Sequence, residues 1–171
     1  MHIIRLPLLI VLLVASSSIL AREITIDHNG LAVNGELTLA KDSNLAKGVI
    51  LLVHGGFAHR DLENLVYLRS LLGDRGYSTL AINLSYEINN RHGMPDCNIT
   101  HRHRQQDVVG EIETWINWLK KQGAKNITIL GHSRGGAQVA LYASRQPDPL
   151  VKRLVLLAPA TRDNGGAGYN S

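Results

Sequence analysis

The stretch that most constrains this chain is Asn126 to Arg145, NITILGHSRGGAQVALYASR, in which a short apolar run enters Gly-His-Ser-Arg-Gly-Gly and leaves as a helix-forming segment. Ile127, Ile129 and Leu130 give the run its β character, and Ala137, Val139, Ala140, Leu141 and Ala143 supply helix formers after it. Gly131 and Gly135 stand two residues either side of Ser133, with His132 and Arg134 between. That spacing, Gly-x-Ser-x-Gly, reads as a nucleophile elbow, a sharp strand-to-helix turn that lifts a serine hydroxyl clear of the sheet edge. Such a turn folds back so tightly that a Cβ at either flanking position would crowd the facing chain. An ordinary glycine-rich turn has the same spacing, so the strand before it and the helix after it carry the reading.

The rest of the chain alternates between strands and helices. Glu23 to Asp27 and Leu31 to Ala40 alternate polar with apolar around Asn29-Gly30, which predicts a β-hairpin. Gly48 to Val53 and Ser78 to Leu84 are unbroken apolar runs, expected as strands covered on both faces. Leu62, Leu65, Val66, Leu68, Leu71 and Leu72 recur at helical spacing, with Gly73 and Gly76 expected to close that helix. A second helix is expected over Asp107 to Lys121, with Val108, Ile112, Trp115, Ile116 and Leu119 inward and Gly123 as its stop. Val151 to Ala158 reads as the last strand. The pattern predicts an α/β fold, a three-layer α/β/α sandwich around a mainly parallel twisted sheet with right-handed crossovers.

Composition fits one domain: of 171 residues, 44% are hydrophobic and 19% charged. The formal charge of +4 is spread over helix surfaces and one loop, which argues against nucleic acid as a partner. Met1 to Arg5 is a positive start, Leu6 to Ala15 is apolar, and Ser16 to Ala21 is small and polar, the layout of a secretory signal peptide with cleavage expected after Ala21. An uncleaved anchor is the alternative, disfavoured because a span needs about 20 apolar residues. The chain thus divides into a leader at 1–21, a folded domain at 22–160 and a glycine-rich tail at 161–171, with a secreted or periplasmic destination. Its single cysteine, Cys97, forms no internal disulfide.

Val53-His54-Gly55-Gly56 together with Gly131-His132-Ser133-Arg134-Gly135 resembles the α/β-hydrolase superfamily, and the order of elements from Glu23 to Ala160 is similar to that family's first six strands. The resemblance implies a serine hydrolase that cleaves esters or amides through an acyl-enzyme on Ser133. It also implies an oxyanion hole from the backbone N–H of Gly56 or Phe57 and that of Arg134, with a small-molecule substrate and no cofactor. The loop Ser85 to His103 looks like the corresponding loop of a bacterial subgroup of secreted or periplasmic members. His54 is read as a turn-ordering residue, and His132 as facing the wrong way for a base.

The chain departs from the family in one respect. The expected order is nucleophile, acid, histidine, yet all eight histidines precede Ser133. Truncation before the last two strands is the simplest account, and it would leave Val151 to Ala158 as an open edge. Asp163 is either the acid of a lipase-like arrangement or a solvated tail residue, the latter favoured. His101 or His103 is an alternative base, because geometry and not chain position defines a triad. His92, Asp96, Cys97, His101 and His103 are metal-capable donors, but their spacing matches no usual zinc pattern and no metal is expected. The competing reading of the whole chain is a non-catalytic remnant or binding domain of the same fold.

Overall fold

Asn29 and Gly30 both take left-handed backbone, φ 55° and 83°, the geometry of the two-residue turn whose twist matches that of paired strands. They join β1 (Ala21–His28) to β2 (Leu31–Thr38) in an antiparallel hairpin. The computed structural model describes residues 21–96, 98, 100, 102–145 and 147–160. Residues 1–20 of the leader expected at 1–21, Cys97, His101 and the tail with Asp163 therefore lie outside the described residues.

The hairpin is the edge of a six-stranded sheet ordered β1-β2-β4-β3-β5-β6. In it, β3 (Val49–Val53), β4 (Thr79–Ile82), β5 (Ile127–His132) and β6 (Val151–Leu157) run parallel, and β2 meets β4 antiparallel. Side chains alternate across the sheet, so Leu51, Val53, Leu80, Ile82, Ile127 and Ile129 pack on one face and Leu52, Ala81 and Leu130 on the other. The first face is covered by α2 (Gln105–Lys121) through Val108, Ile112, Trp115, Ile116 and Leu119 and by α3 (Arg134–Arg145) through Val139 and Tyr142. The second is covered by α1 (Glu63–Asp74) through Leu68 and Leu72. The three layers expected from the sequence are present.

Two expected boundaries move, each for a physical reason. The strand expected to reach Leu84 stops at Ile82 because side chains take over the next backbone groups: Leu84 N donates to His54 Nε2 and Leu84 O accepts from Arg91 Nε. Gly73 lies inside α1 and does not close it. The cap forms at Gly76, φ 81°, where Tyr77 N reaches back to Leu72 O and Gly76 N to Gly73 O.

The last strand is laid against β5 but bare beyond it. Leu154, Val155, Leu156 and Leu157 are each 40–44% exposed, consecutive residues that point to both faces, where an edge strand normally carries charge or twist.

Candidate active site

Ser133 stands between the last residue of β5 and the first of α3, half-buried, with φ 55°. Its turn is anchored by its own backbone: Ser133 N donates to Leu157 O at 2.9 Å, and Ser133 O accepts from Gly136 N and Ala160 N, both at 3.0 Å. A Cβ on Gly131 would stand 2.6 Å from the Gly135 carbonyl carbon, and one on Gly135 would stand 2.6 Å from Val53 O. No side chain fits at either position, so the two glycines set the tightness of the turn.

The end of β3 lies directly against this elbow. A Cβ on Gly55 would be 3.3 Å from Ser133 Cβ, and one on Gly56 would be 3.1 Å from Arg134 Cδ. Phe57 follows in left-handed backbone, φ 49°. Ser133, Gly56, Phe57 and Arg134 thus meet at the carboxyl ends of two adjacent parallel strands, where open α/β sheets place their ligands. His132 lies beside Gly55, its Nδ1 3.8 Å from where a Gly55 Cβ would be.

His54 is fully buried and orders the turn. Its Nε2 is 3.0 Å from both Leu84 N and Arg91 Nη2, which only donate, so Nε2 accepts and the ring proton sits on Nδ1, donated to Gly55 O at 2.7 Å. Burial, reinforced by the Arg91 charge and opposed by the Gly55 bond, holds its pKa down to about 3. An unfolded histidine takes up its proton near pH 6.5, so between that pH and 3 the unfolded chain binds more protons and stability rises with pH. Urea midpoints are therefore expected to fall steadily as pH is lowered from 6.5 toward 3, and a His54→Asn variant is expected to show a flatter dependence. Glu23, held below the usual carboxylate range by Arg60 and His92, adds a smaller loss only below about pH 4.5.

A buried polar knot behind the turn, not foreseen from the sequence, joins four segments. Arg91 donates to Leu84 O, to Gly93 O and to His54, while its own carbonyl accepts from Asn34 Nδ2 and Asn83 Nδ2. Asn34 Oδ1 accepts from Arg60 Nη1 and Asn83 Nδ2, both at 2.8 Å, and Arg60 pairs with Glu23. Every bond here involves a buried or half-buried charge or amide, the class worth most to a fold when satisfied.

On the other side of Arg91 lies Tyr86, which the sequence also left unmarked. Its hydroxyl oxygen accepts from Phe57 N at 3.2 Å and its ring stacks on Phe57, centroids 5.7 Å apart at 12°. Arg91 sits 4.9 Å over that ring, and His103 meets it edge-on at 5.1 Å. Burial raises the Tyr86 pKa, against the opposing pull of the Phe57 amide and Arg91. His103 Nε2 is engaged by Glu111 Oε1 at 2.9 Å, and the same carboxylate accepts from Ser85 N and Ser85 Oγ. Glu111 carried one sequence signal: it lies beside Ile112 on the apolar stripe of α2, where a carboxylate needs partners. Among the described residues no group of three or more His, Cys, Asp or Glu gathers to hold a metal; His92 bonds Glu23 and Asn90, and Asp96 bonds Asn98.

Comparison with known proteins agrees with this fold. A family model described as alpha/beta hydrolase fold matches residues 48–169. A Mycoplasma pneumoniae protein named as an esterase/lipase is 32% identical over 125 residues, covering 70% of this chain and 39% of that protein. Among solved structures, Est1E from Butyrivibrio proteoclasticus superposes with a TM-score of 0.65 at 24% identity, covering 81% of this chain and 51% of that one. A Pyrococcus furiosus esterase gives 0.66 at 16% identity, covering 82% and 51%. At such identities the structures testify to the fold alone. The chain spans about half the length of those solved structures, and less of the Mycoplasma protein.

Proposed function

The chain belongs to the alpha/beta hydrolase fold family, and on that premise we propose that it is a serine hydrolase of small-molecule esters with Ser133 as its nucleophile. The observation that carries the reading is the left-handed Ser133 set against Gly55-Gly56 at the carboxyl ends of β5 and β3. Ser133 Oγ would bond to the substrate's carbonyl carbon as its own proton passes to solvent water and the carbonyl π pair moves onto oxygen. The N–H of Gly56 or Phe57 and that of Arg134 are the donors for that oxygen, and one such donor is worth on the order of 3 kcal/mol of barrier. Collapse breaks the bond from that carbon to the alkoxy oxygen, which leaves as the alcohol with a proton from solvent, and water then adds to the acyl-enzyme, releasing the acid and returning a proton to Ser133 Oγ. The names of its relatives favour esters over amides. The Met1–Ala21 leader supports export to the periplasm or beyond.

A second reading is a non-catalytic domain of this fold, favoured by the engagement of two nearby histidines elsewhere: His54 bonds Gly55 O, Leu84 N and Arg91, and His103 bonds Glu111. One experiment separates the two: the chain and its Ser133→Ala variant are incubated with a fluorophosphonate probe and with p-nitrophenyl acetate. Hydrolysis predicts labelling and turnover in the parent and neither in the variant. Equal behaviour of the two proteins would remove the catalytic reading.

A further inference from the structure

We propose, building on that reading of Ser133, that the segment Leu84 to Arg91 selects Gly56 as the donor to the substrate's carbonyl oxygen, turning the Gly56 N–H outward through His54 and withholding the Phe57 N–H through Tyr86. Two consecutive peptides of the turn after β3 carry the inference. The first joins Gly55 to Gly56, and its carbonyl oxygen, Gly55 O, accepts from His54 Nδ1 at 2.7 Å. No described peptide bond is cis, and in a trans peptide the N–H points opposite to the C=O. His54 is 1% exposed, so drawing the carbonyl toward the buried imidazole sends the Gly56 N–H the other way, out of the turn. Gly56 is exposed, and among the described residues its N–H meets no acceptor. The same turn abuts the elbow, with Gly55 against Ser133 Cβ and Gly56 against Arg134 Cδ.

The orientation depends on which nitrogen of His54 carries the proton. With the proton on Nε2, the bare Nδ1 would face Gly55 O, lone pair against lone pair, and nothing would hold the peptide this way round. Leu84 N and Arg91 Nη2 both donate to Nε2 at 3.0 Å, which excludes that tautomer. Arg91 is itself tied to Leu84 O and Gly93 O. Burial holds the ring neutral down to about pH 3, so both nitrogens keep these roles at neutral pH. The second peptide joins Gly56 to Phe57, and its N–H donates to Tyr86 Oη at 3.2 Å. That phenol is held by its stack on Phe57, by Arg91 over its ring and by the edge of His103. Phe57 would have to break its bond to serve a substrate, whereas Gly56 breaks none. A donor already in place is the effective one, because nothing reorganises as charge develops on the oxygen. His54, Arg91 and Tyr86 are thus positioning residues acting through two backbone amides. No proton leaves His54 or Gly56 as the Ser133 Oγ–carbon bond forms.

The test uses the full chain with its Ser133→Ala, His54→Asn and His54→Gln variants. Asparagine carries an NH₂ where Nδ1 stands and can keep the bond to Gly55 O; glutamine places its amide where Nε2 stands and can satisfy only Leu84 and Arg91. His54→Gln is expected to lower kcat for p-nitrophenyl acetate on the order of 100-fold at unchanged KM, and His54→Asn to lower it far less. Equal losses, or a larger loss in His54→Asn, overturn the selection. The parent chain supplies a readout that needs no variant to fold. In proton–nitrogen correlation spectra, fluorophosphonate labelling of Ser133 is expected to move the Gly56 amide proton downfield more than that of Phe57. A Phe57 shift as large or larger overturns the selection and leaves the Ser133 reading standing. A parent chain labelled no more than Ser133→Ala overturns both.

Discussion

Gly135→Ala is expected to leave a chain with no cooperative unfolding transition. The added methyl would run into His54 O and stand 2.6 Å from Val53 O and 3.0 Å from the His54 carbonyl carbon. These are backbone atoms at the end of a central strand, so no rotamer change relieves the clash. Either α3 moves off the sheet, uncovering Val139 and Tyr142, or β3 shifts and breaks its register with both neighbours. Each route costs more than about 4 kcal/mol, a large part of the 5–15 kcal/mol by which a domain of this kind is stable. Gly73→Ala is the internal control: nothing lies within 4 Å of its added Cβ, and it sits inside α1. It is expected to raise stability by about 0.5–1 kcal/mol. Thermal melts followed by circular dichroism give both outcomes.

Glu111→Ala is the second large effect, a loss of about 3–5 kcal/mol in urea unfolding. Glu111 is 1% exposed, and its two oxygens accept from Ser85 N at 2.8 Å, Ser85 Oγ at 2.6 Å and His103 Nε2 at 2.9 Å. Removing the carboxylate strands three donors where water does not reach. Glu111→Gln keeps one acceptor oxygen but turns an NH₂ toward a donor, so an intermediate loss is expected. The two variants together separate the hydrogen bonds from the space the side chain fills.

The elbow and the sheet were legible because they are periodic or sterically forced. Residues alternating at two per repeat mark β2, the 3.6-residue recurrence of Val108, Ile112, Trp115 and Leu119 marks α2, and the glycines at 131 and 135 answer a clash that any side chain would make. The polar knot has no such period. Asn34 falls in the alternating pattern of β2 at a position that reads as solvent-facing, yet it is 1% exposed, because Arg60 and the segment carrying Arg91 fold over that face of the hairpin. Tyr86 gave no signal at all: it is held by contacts with Phe57, Arg91 and His103, which sequence distance does not reveal. The last strand was legible from the unbroken apolar run Val151 to Ala158.

The left-handed backbone at Phe57, Tyr86 and Ser133 carries a cost in stability. A side-chain-bearing residue held there costs roughly 1–2 kcal/mol that glycine would not. A library of this chain screened only for survival at high temperature would drift toward glycine at 57 and 133, gaining heat resistance as it erases the proposed nucleophile. Position 86, where the ring also packs, would resist that drift longest.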